Sequence, residues 1–460
     1  MVEIADDTVS GNLVAPPANG AETYAFGSAR YAWAVTLILA GLQIVSNMER
    51  QILTLVVEPL RQDFHIQDVD VSLLQGLAFA LFYSVVAVPV GWLADRWRRN
   101  RIIMVGMGLW SISTLGCMIA QSFAGLFAAR LMIGLADASL VPASLSILSD
   151  YFPQSKLAGP VGTVTGASFL GSGLSLTFGG ILLAVLPVNR SLALPVVGNI
   201  HGWQLTFGIM CLLGLSMLVL LLVVREPPRR DSAESARMSI QTARFVDVLR
   251  YLAQHMSYLG SVIGGLILLA TYQYGVSSWV VTLFIRAHNW SAPQIGFLYG
   301  ILLMVLGSAA SFLGGRLCDW LRARGHRDAN CLVPLGGVIL LVPLSVTFAL
   351  TGSAELAVVL LGAITFCAVI CFGPAMAAVA AYTPSRMRAQ MVAVTMLLST
   401  LIGAGGGPWL VAVFTQDVFG HSQALPSSLS ICSVLLLVPT AACFWLGGKT
   451  ARSGQLRDDS

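Results

Sequence analysis

Apolar runs of about 20 residues, such as "VSLLQGLAFALFYSVVAVPVG" (71–91) and "LSICSVLLLVPTAACFWLGG" (429–448), constrain this chain more than any other feature. A helix of that length crosses the hydrocarbon core of a bilayer, where the backbone must satisfy its own hydrogen bonds. Only 10% of the 460 residues are charged and 56% are hydrophobic, whereas soluble domains carry about 25% charged residues. So few charges cannot cover a water-facing surface. The expected fold is an all-α membrane protein with twelve transmembrane helices, near 31–57, 71–94, 101–121, 124–149, 158–187, 203–225, 253–286, 292–318, 331–352, 355–382, 388–416 and 426–447. The longest polar break, "REPPRRDSAESARMSIQTARFVDVLR" (225–250), separates the sixth span from the seventh. The expected organisation is a disordered cytosolic tail (1–30), a six-helix bundle (31–225), a cytosolic inter-bundle loop (226–252), a second six-helix bundle (253–447) and a cytosolic C-terminal tail (448–460).

Lysine and arginine collect on the cytosolic side of membrane proteins and so set orientation. With both termini inside, 21 of the 26 fall on that side; Arg61, Arg190 and Arg286 fall outside, and Arg50 and Arg130 lie within the membrane. The net charge of +4 suits anchoring at an anionic leaflet and calls for no nucleic-acid partner. The first residues lack the basic region that leads a secretory signal. The expectation is a multi-pass protein of the plasma or inner membrane, monomeric, with both ends cytosolic. The eight cysteines lie almost wholly in apolar runs, and none has a histidine at metal-ligand spacing, so neither metal nor cofactor is expected. "GGKT" (447–450) lacks the glycine that a phosphate loop needs at 443, where Cys443 stands. No H-E-x-x-H or G-x-S-x-G motif occurs, so no enzymatic activity is expected.

A charge at bilayer depth costs at least about 2.5–3.5 kcal/mol unless it finds a partner or a wet cavity. The first span nevertheless holds Glu49 and Arg50 side by side in "IVSNMERQIL" (44–53), and the fourth holds Arg130 and Asp137. Gln43, Ser46, Asn47, Arg50 and Thr54 recur at helical spacing and give the first span one wet face. Glu49 points about 100° away from Arg50, near the cavity edge and towards Arg130. Arg130 and Asp137 are nearly two turns apart on one face, with Gly134 between them. This pattern suits a proton site at Glu49, Asp137 and Arg130, or else a static ion network. Arg50 and Asn47, with the aromatics Phe79, Tyr83, Tyr272, Tyr274 and Trp279, are the candidate substrate contacts. Arginines would take an anionic head group and rings an apolar body.

The two halves carry matching punctuation. "GWLADRWRRNR" (91–101) follows the second span and "GGRLCDWLRAR" (314–324) the eighth; Gly91 precedes Asp95 by four residues, as Gly315 precedes Asp319. "YFPQSK" (151–156) follows the fourth span and "YTPSRM" (382–387) the tenth. Parallel six-helix repeats of this kind, together with the first loop, resemble the major facilitator superfamily. The loop departs from the family signature at Arg98, where a glycine is usual. "GLAFALFYSVVAVPVGWLADR" (76–96), "RLMIGLADASLVPASLSILSDYFP" (130–153) and "SSWVVTLFIRAHNWSAPQIGFLYG" (277–300) resemble the spinster-like branch; anion:cation symporters share the first-helix and loop motifs. Spinster-like chains have aspartate in the first helix and glutamate in the fourth, the reverse of Glu49 and Asp137.

The resemblance implies a secondary active transporter that works by alternating access, with the proton as coupling ion. It implies a cytosolic gate of Gly91, Asp95, Arg96, Arg99, Asp150 and Asp319 that latches the halves together. "LFAARLMIG" (126–134) resembles a motif whose arginine, here Arg130, is associated with proton coupling. The cargo implied is a small molecule or lipid, either lipid-like or a small organic anion, with membrane lipids as surroundings. An antiporter would have Gly-Pro where Ser175 and Leu176 stand. Uptake of organic acids, uncoupled facilitation and a non-transporting receptor or scaffold are the alternatives.

Overall fold

The computed structural model describes residues 28–153, 156–186, 191–194, 198–227, 245–326 and 328–452. The expected tails and most of the inter-bundle loop lie outside these residues. Among the described residues, twelve helices are long and apolar enough to cross a membrane: α1 (Ala29–Leu55), α2 (Asp68–Val86), α3 (Arg99–Ile119), α4 (Phe123–Tyr151), α5 (Ala158–Val185), α6 (Gly202–Leu221), α7 (Met256–His288), α8 (Ala292–Ala323), α9 (Ala329–Leu350), α10 (Ala354–Ala381), α11 (Ser385–Val418) and α12 (Ser422–Arg452). α2 continues as helical backbone to Arg96. An even number of spans brings Ser28 and Arg452 to the same side, called the terminal face below; the opposite side is the far face.

Three features add to the expected pattern. A short antiparallel pair, β1 (Ser191–Leu194) and β2 (Gly198–His201), joins α5 to α6 on the far face. A helix at Val57–Phe64 caps α1 there. A second short helix, Phe245–Gln254, occupies the end of the expected inter-bundle loop.

Serines start several spans. The Ser122 and Ser353 side chains accept from Gly125 N at 3.2 Å and Leu356 N at 3.3 Å, satisfying donors that a helix N-terminus otherwise leaves open. Proline inside helices (Pro89, Pro334, Pro343, Pro374, Pro408, Pro439) is tolerated because neighbouring helices shelter the freed carbonyls. α4 breaks at Ala138–Ser139, between helices Phe123–Asp137 and Leu140–Tyr151.

Helices in lipid associate by close packing, so small residues set the contacts. At Gly134 of α4 an added Cβ would collide with the Phe79 carbonyl of α2, and at Gly300 of α8 with the Gly173 carbonyl of α5. The first contact ties two helices of one half. The second joins the halves.

Candidate functional site

The four buried charges resolve into two ion pairs, both bridging α1 to α4. Arg130 Nη1 lies 3.1 Å from Glu49 Oε1, and Arg50 Nη2 lies 3.4 Å from Asp137 Oδ2. The helix break after Asp137 and the close approach allowed by Gly134 bring the second carboxylate to α1, where the Ser46 hydroxyl donates to Asp137 Oδ1 at 2.5 Å. The neighbours Glu49 and Arg50 therefore pair with α4 and not with each other, as their 100° separation requires.

The pairs sit in different surroundings. Arg50 is 28% exposed, donates to Asn47 Oδ1 at 3.1 Å, and stands 4.7 Å from the centre of the Phe79 ring. Glu49 is wholly buried and Arg130 nearly so, with the Phe207 ring 5.6 Å from its guanidinium. The sequence puts Glu49 at the cavity edge; the structure puts it behind the cavity wall, because the α1 face it occupies packs on α4 and α6. Neither Glu49 oxygen has a hydrogen-bond partner among the described residues, and nor do Arg130 Nε and Nη2. One ion contact thus carries a charge pair taken fully out of water, an expensive arrangement to keep.

A cavity of about 390 Å³ lies between the halves. Its N-terminal wall is polar: Asn47, Arg50, Gln51, Thr54, Gln75, Ser168 and Ser172, with Phe79 and Phe169. Its C-terminal wall mixes apolar side chains (Leu303, Leu361, Ile364, Val369, Phe372, Met396) and the Tyr272 ring with polar groups at Gln273, Tyr274, Ser277, Tyr299, Ser311, Thr365, Ser399 and Thr400. Arg50, Asn47, Phe79, Tyr272 and Tyr274 therefore meet there as the sequence suggests. Tyr83 stands behind them, stacked on Phe79 at 5.3 Å. Trp279 does not line the cavity. It is fully buried, its indole donates to the Pro408 carbonyl at 3.0 Å, and its ring lies 6.0 Å from the Arg286 guanidinium. One turn beyond the polar stretch, α7 has already packed against α11.

The gate residues separate. Gly91, Asp95 and Arg96 are described only as helical backbone at the end of α2. Arg99 pairs with Asp150 and with Glu226, whose carboxylate also accepts from the Arg99 and Asn100 backbone amides at 3.0 and 2.8 Å. All of these belong to the N-terminal half, so the cluster ties α3 to α4 and to the chain leaving α6. Asp319 is 79% exposed and reaches Arg322 at 3.7 Å on its own helix. Among the described residues, the contacts of these side chains do not join the halves.

Bonds between the halves gather instead at the far face, around an arginine whose sequence position marks only the side of the membrane on which it falls. Arg286, at the end of α7, contacts Glu58 Oε1 at 2.6 Å and both oxygens of Asp68 at 2.8 Å. Arg61 adds contacts to Asp68 at 3.1 Å and Glu58 at 3.4 Å. Gln416 of α11 accepts from Val69 N at 3.3 Å and bonds Gln67. The visible signal was a lone arginine on the charge-poor C-terminal far side, facing a turn that holds Glu58 and Asp68.

Twelve spans in two six-helix halves, a cavity between them and charges buried at its wall define a membrane transporter, not an enzyme. The Major Facilitator Superfamily model matches residues 26–408, and the chain belongs to that superfamily. It is similar to an MFS-type efflux pump of Mycolicibacterium smegmatis, 23% identical over 92% of this chain and 94% of the relative. It is also similar to the zebrafish (Danio rerio) sphingosine-1-phosphate transporter SPNS2, 24% identical over 88% and 81%. Among solved structures it resembles a bacterial homolog of the human lysosomal transporter Spinster in an inward-facing, unoccupied conformation. That match has a TM-score of 0.78 and 25% identity, and covers 93% of this chain and 99% of the other.

Proposed function

We propose that this chain is a proton-coupled secondary transporter that moves an amphipathic anion by alternating access. One observation carries the reading: the two charge pairs share α1 and α4 but not their surroundings. Arg50 is wet and placed to take an anionic head group in exchange for Asp137. Glu49 is dry, held by one arginine, and placed to gain or lose a proton when Arg130 shifts. Arg50 on one wall and the apolar side chains Leu303, Leu361, Ile364, Val369, Phe372 and Met396 on the other suit a head group and a hydrocarbon body, which favours lipid-like cargo or an organic acid with an apolar part. Sphingosine-1-phosphate, the cargo for which the SPNS2 relative is named, belongs to that class.

On this reading the arginine-rich terminal face is cytosolic, and the sealed far face makes the structure an inward-facing state. The membrane is the plasma or inner membrane. The transporter works as a monomer, without cofactor or nucleic acid.

The test is proton movement in liposomes containing the purified protein, on addition of lysolipids, phosphorylated sphingoid bases and organic acids. Substrate-dependent proton movement that is lost in Glu49→Gln and retained in Asp137→Asn supports the division of roles. Equal substrate flux in wild type and Glu49→Gln, with no proton movement in either, overturns coupling and leaves a facilitator. No flux of any solute overturns transport of this cargo class.

A further inference from the structure

The short helix Phe245–Gln254, just before α7 on the terminal face, belongs neither to the central cavity nor to the far-face seal. Its edges differ. Phe245, Val246 and Leu249 are 57%, 60% and 44% exposed. Asp247, Arg250 and Gln254, at spacings of three and four that share a helical face, line a separate hollow of about 250 Å³. Tyr251 and the start of α11, Arg386 and Met387, complete it.

The helix is pinned in place. Val248 is fully buried, the Tyr251 hydroxyl donates to the Tyr382 carbonyl at 2.9 Å, and the Tyr251 ring stacks on His255 at 4.1 Å. Arg250 contacts Asp247 at 3.2 Å, and Arg386 has no ion-pair partner among the described residues. Among the described residues that line it, two cations face one carboxylate, so positive charge is in surplus.

A pinned helix with an apolar edge beside an arginine-lined hollow, at the mouth of a membrane span, has the layout of an interfacial element: apolar side chains in the acyl region and cations at the phosphates. We propose that this hollow binds the phosphate head group of an anionic phospholipid. Arg250 and Arg386 hold the phosphodiester, while Phe245, Val246 and Leu249 enter the acyl layer beside it. The two arginines complement the negative charge of a phosphodiester. The adjoining apolar edge favours a lipid over a free anion. The hollow is separate from the central cavity, so its test does not depend on the transported cargo.

Native mass spectrometry of the purified full chain, titrated with phosphatidylglycerol or phosphatidylcholine, reads the preference directly. Wild type is expected to favour phosphatidylglycerol. R250Q/R386Q is expected to lose roughly thirtyfold of that preference, the weight of two arginines near a charged surface, while R388Q keeps it. Equal affinity for both lipids, an undiminished preference in R250Q/R386Q, or displacement of the lipid by millimolar inorganic phosphate overturns the site. V246E leaves both arginines in place and is expected to weaken binding of a long-chain phosphatidylglycerol but not of its dihexanoyl form. Unchanged long-chain binding in V246E overturns the interfacial placement.

Discussion

The two six-helix halves share a fold and a spacing of motifs, yet they spend charge differently. In the N-terminal half two ion pairs lie within the membrane, Glu49 with Arg130 and Arg50 with Asp137. In the C-terminal half the described charges stand at the ends of spans: Arg286 at the far face, and Asp328, paired with Arg452 at 2.8 Å, at the terminal face. The interior of that half offers hydroxyls instead, such as Tyr272, whose phenol bonds Ser345 at 2.5 Å. Buried charge is expensive in lipid, and under the proposed function the half that keeps it does the work that needs charge. The other half contributes most of the apolar surface of the cavity, and its Arg286 joins the two.

If that division is right, the largest loss comes from the dry pair. Arg130→Met leaves Glu49 buried without a counter-charge, which costs about 3–5 kcal/mol when such a pair is broken from one side. A large fall in the thermal unfolding midpoint in detergent is expected. Glu49→Gln/Arg130→Met removes both charges and is expected to recover most of the loss. A double variant no more stable than Arg130→Met alone means that the pair is not what holds α1 to α4.

Arg50→Gln comes next. A charged hydrogen bond to substrate contributes about 1.5–3 kcal/mol, so apparent affinity is expected to fall by roughly tenfold to a hundredfold in transport assays. The unfolding midpoint is expected to move much less than in Arg130→Met, because Asp137 keeps its bond from Ser46 and Arg50 already meets the cavity. A stability loss as large as that of Arg130→Met would erase the distinction between wet and dry pairs.

How much of this was legible follows from what each signal depends on. Span number and the separation of Glu49 from Arg50 depend on chain length and helical period, which sequence carries directly. The pairing of Asp137 with Arg50 depends on the α4 break and on the backbone approach at Gly134, which only the packed helices supply. Trp279 misled because aromatic residues near a polar stretch look alike whether they line a cavity or pack against a neighbour. One turn of helix decides between the two. Glu226 and Asp68 were not singled out because each lies beyond the hydrophobic periodicity, in segments whose partners are distant in sequence. The charge count that placed Arg286 outside held the clue to the far-face network, but no pattern within α7 names Glu58 and Asp68 as its partners.

That network gives the next test. Arg286→Ala removes three contacts that join the halves at the far face while leaving both mid-membrane pairs untouched. The far face is expected to open more often. A cysteine placed at Asn47, on the cavity wall, is then expected to react with an impermeant thiol reagent from the far side roughly tenfold faster, in line with the loss of charge-assisted bonds. An unchanged rate assigns closure to the helix packing at Gly173 and Gly300 and demotes the ion network to decoration of a seal made by backbone contact.

The smallest expected effect probes the other half. Tyr272 is 2% exposed, lines the cavity with its ring, and spends its hydroxyl on Ser345, which is equally buried. Tyr272→Phe keeps the ring and removes the bond, leaving the Ser345 hydroxyl without that partner at a cost of about 1 kcal/mol. A small drop in unfolding midpoint is expected. Apparent affinity for an anionic substrate is expected to stay within roughly threefold, because under the proposed function the N-terminal wall takes the head group and the ring is kept for the apolar body. A tenfold loss in Tyr272→Phe would mean that the phenol itself reaches the substrate. Recognition would then be divided between the halves, and the C-terminal half would contribute polar chemistry as well as shape.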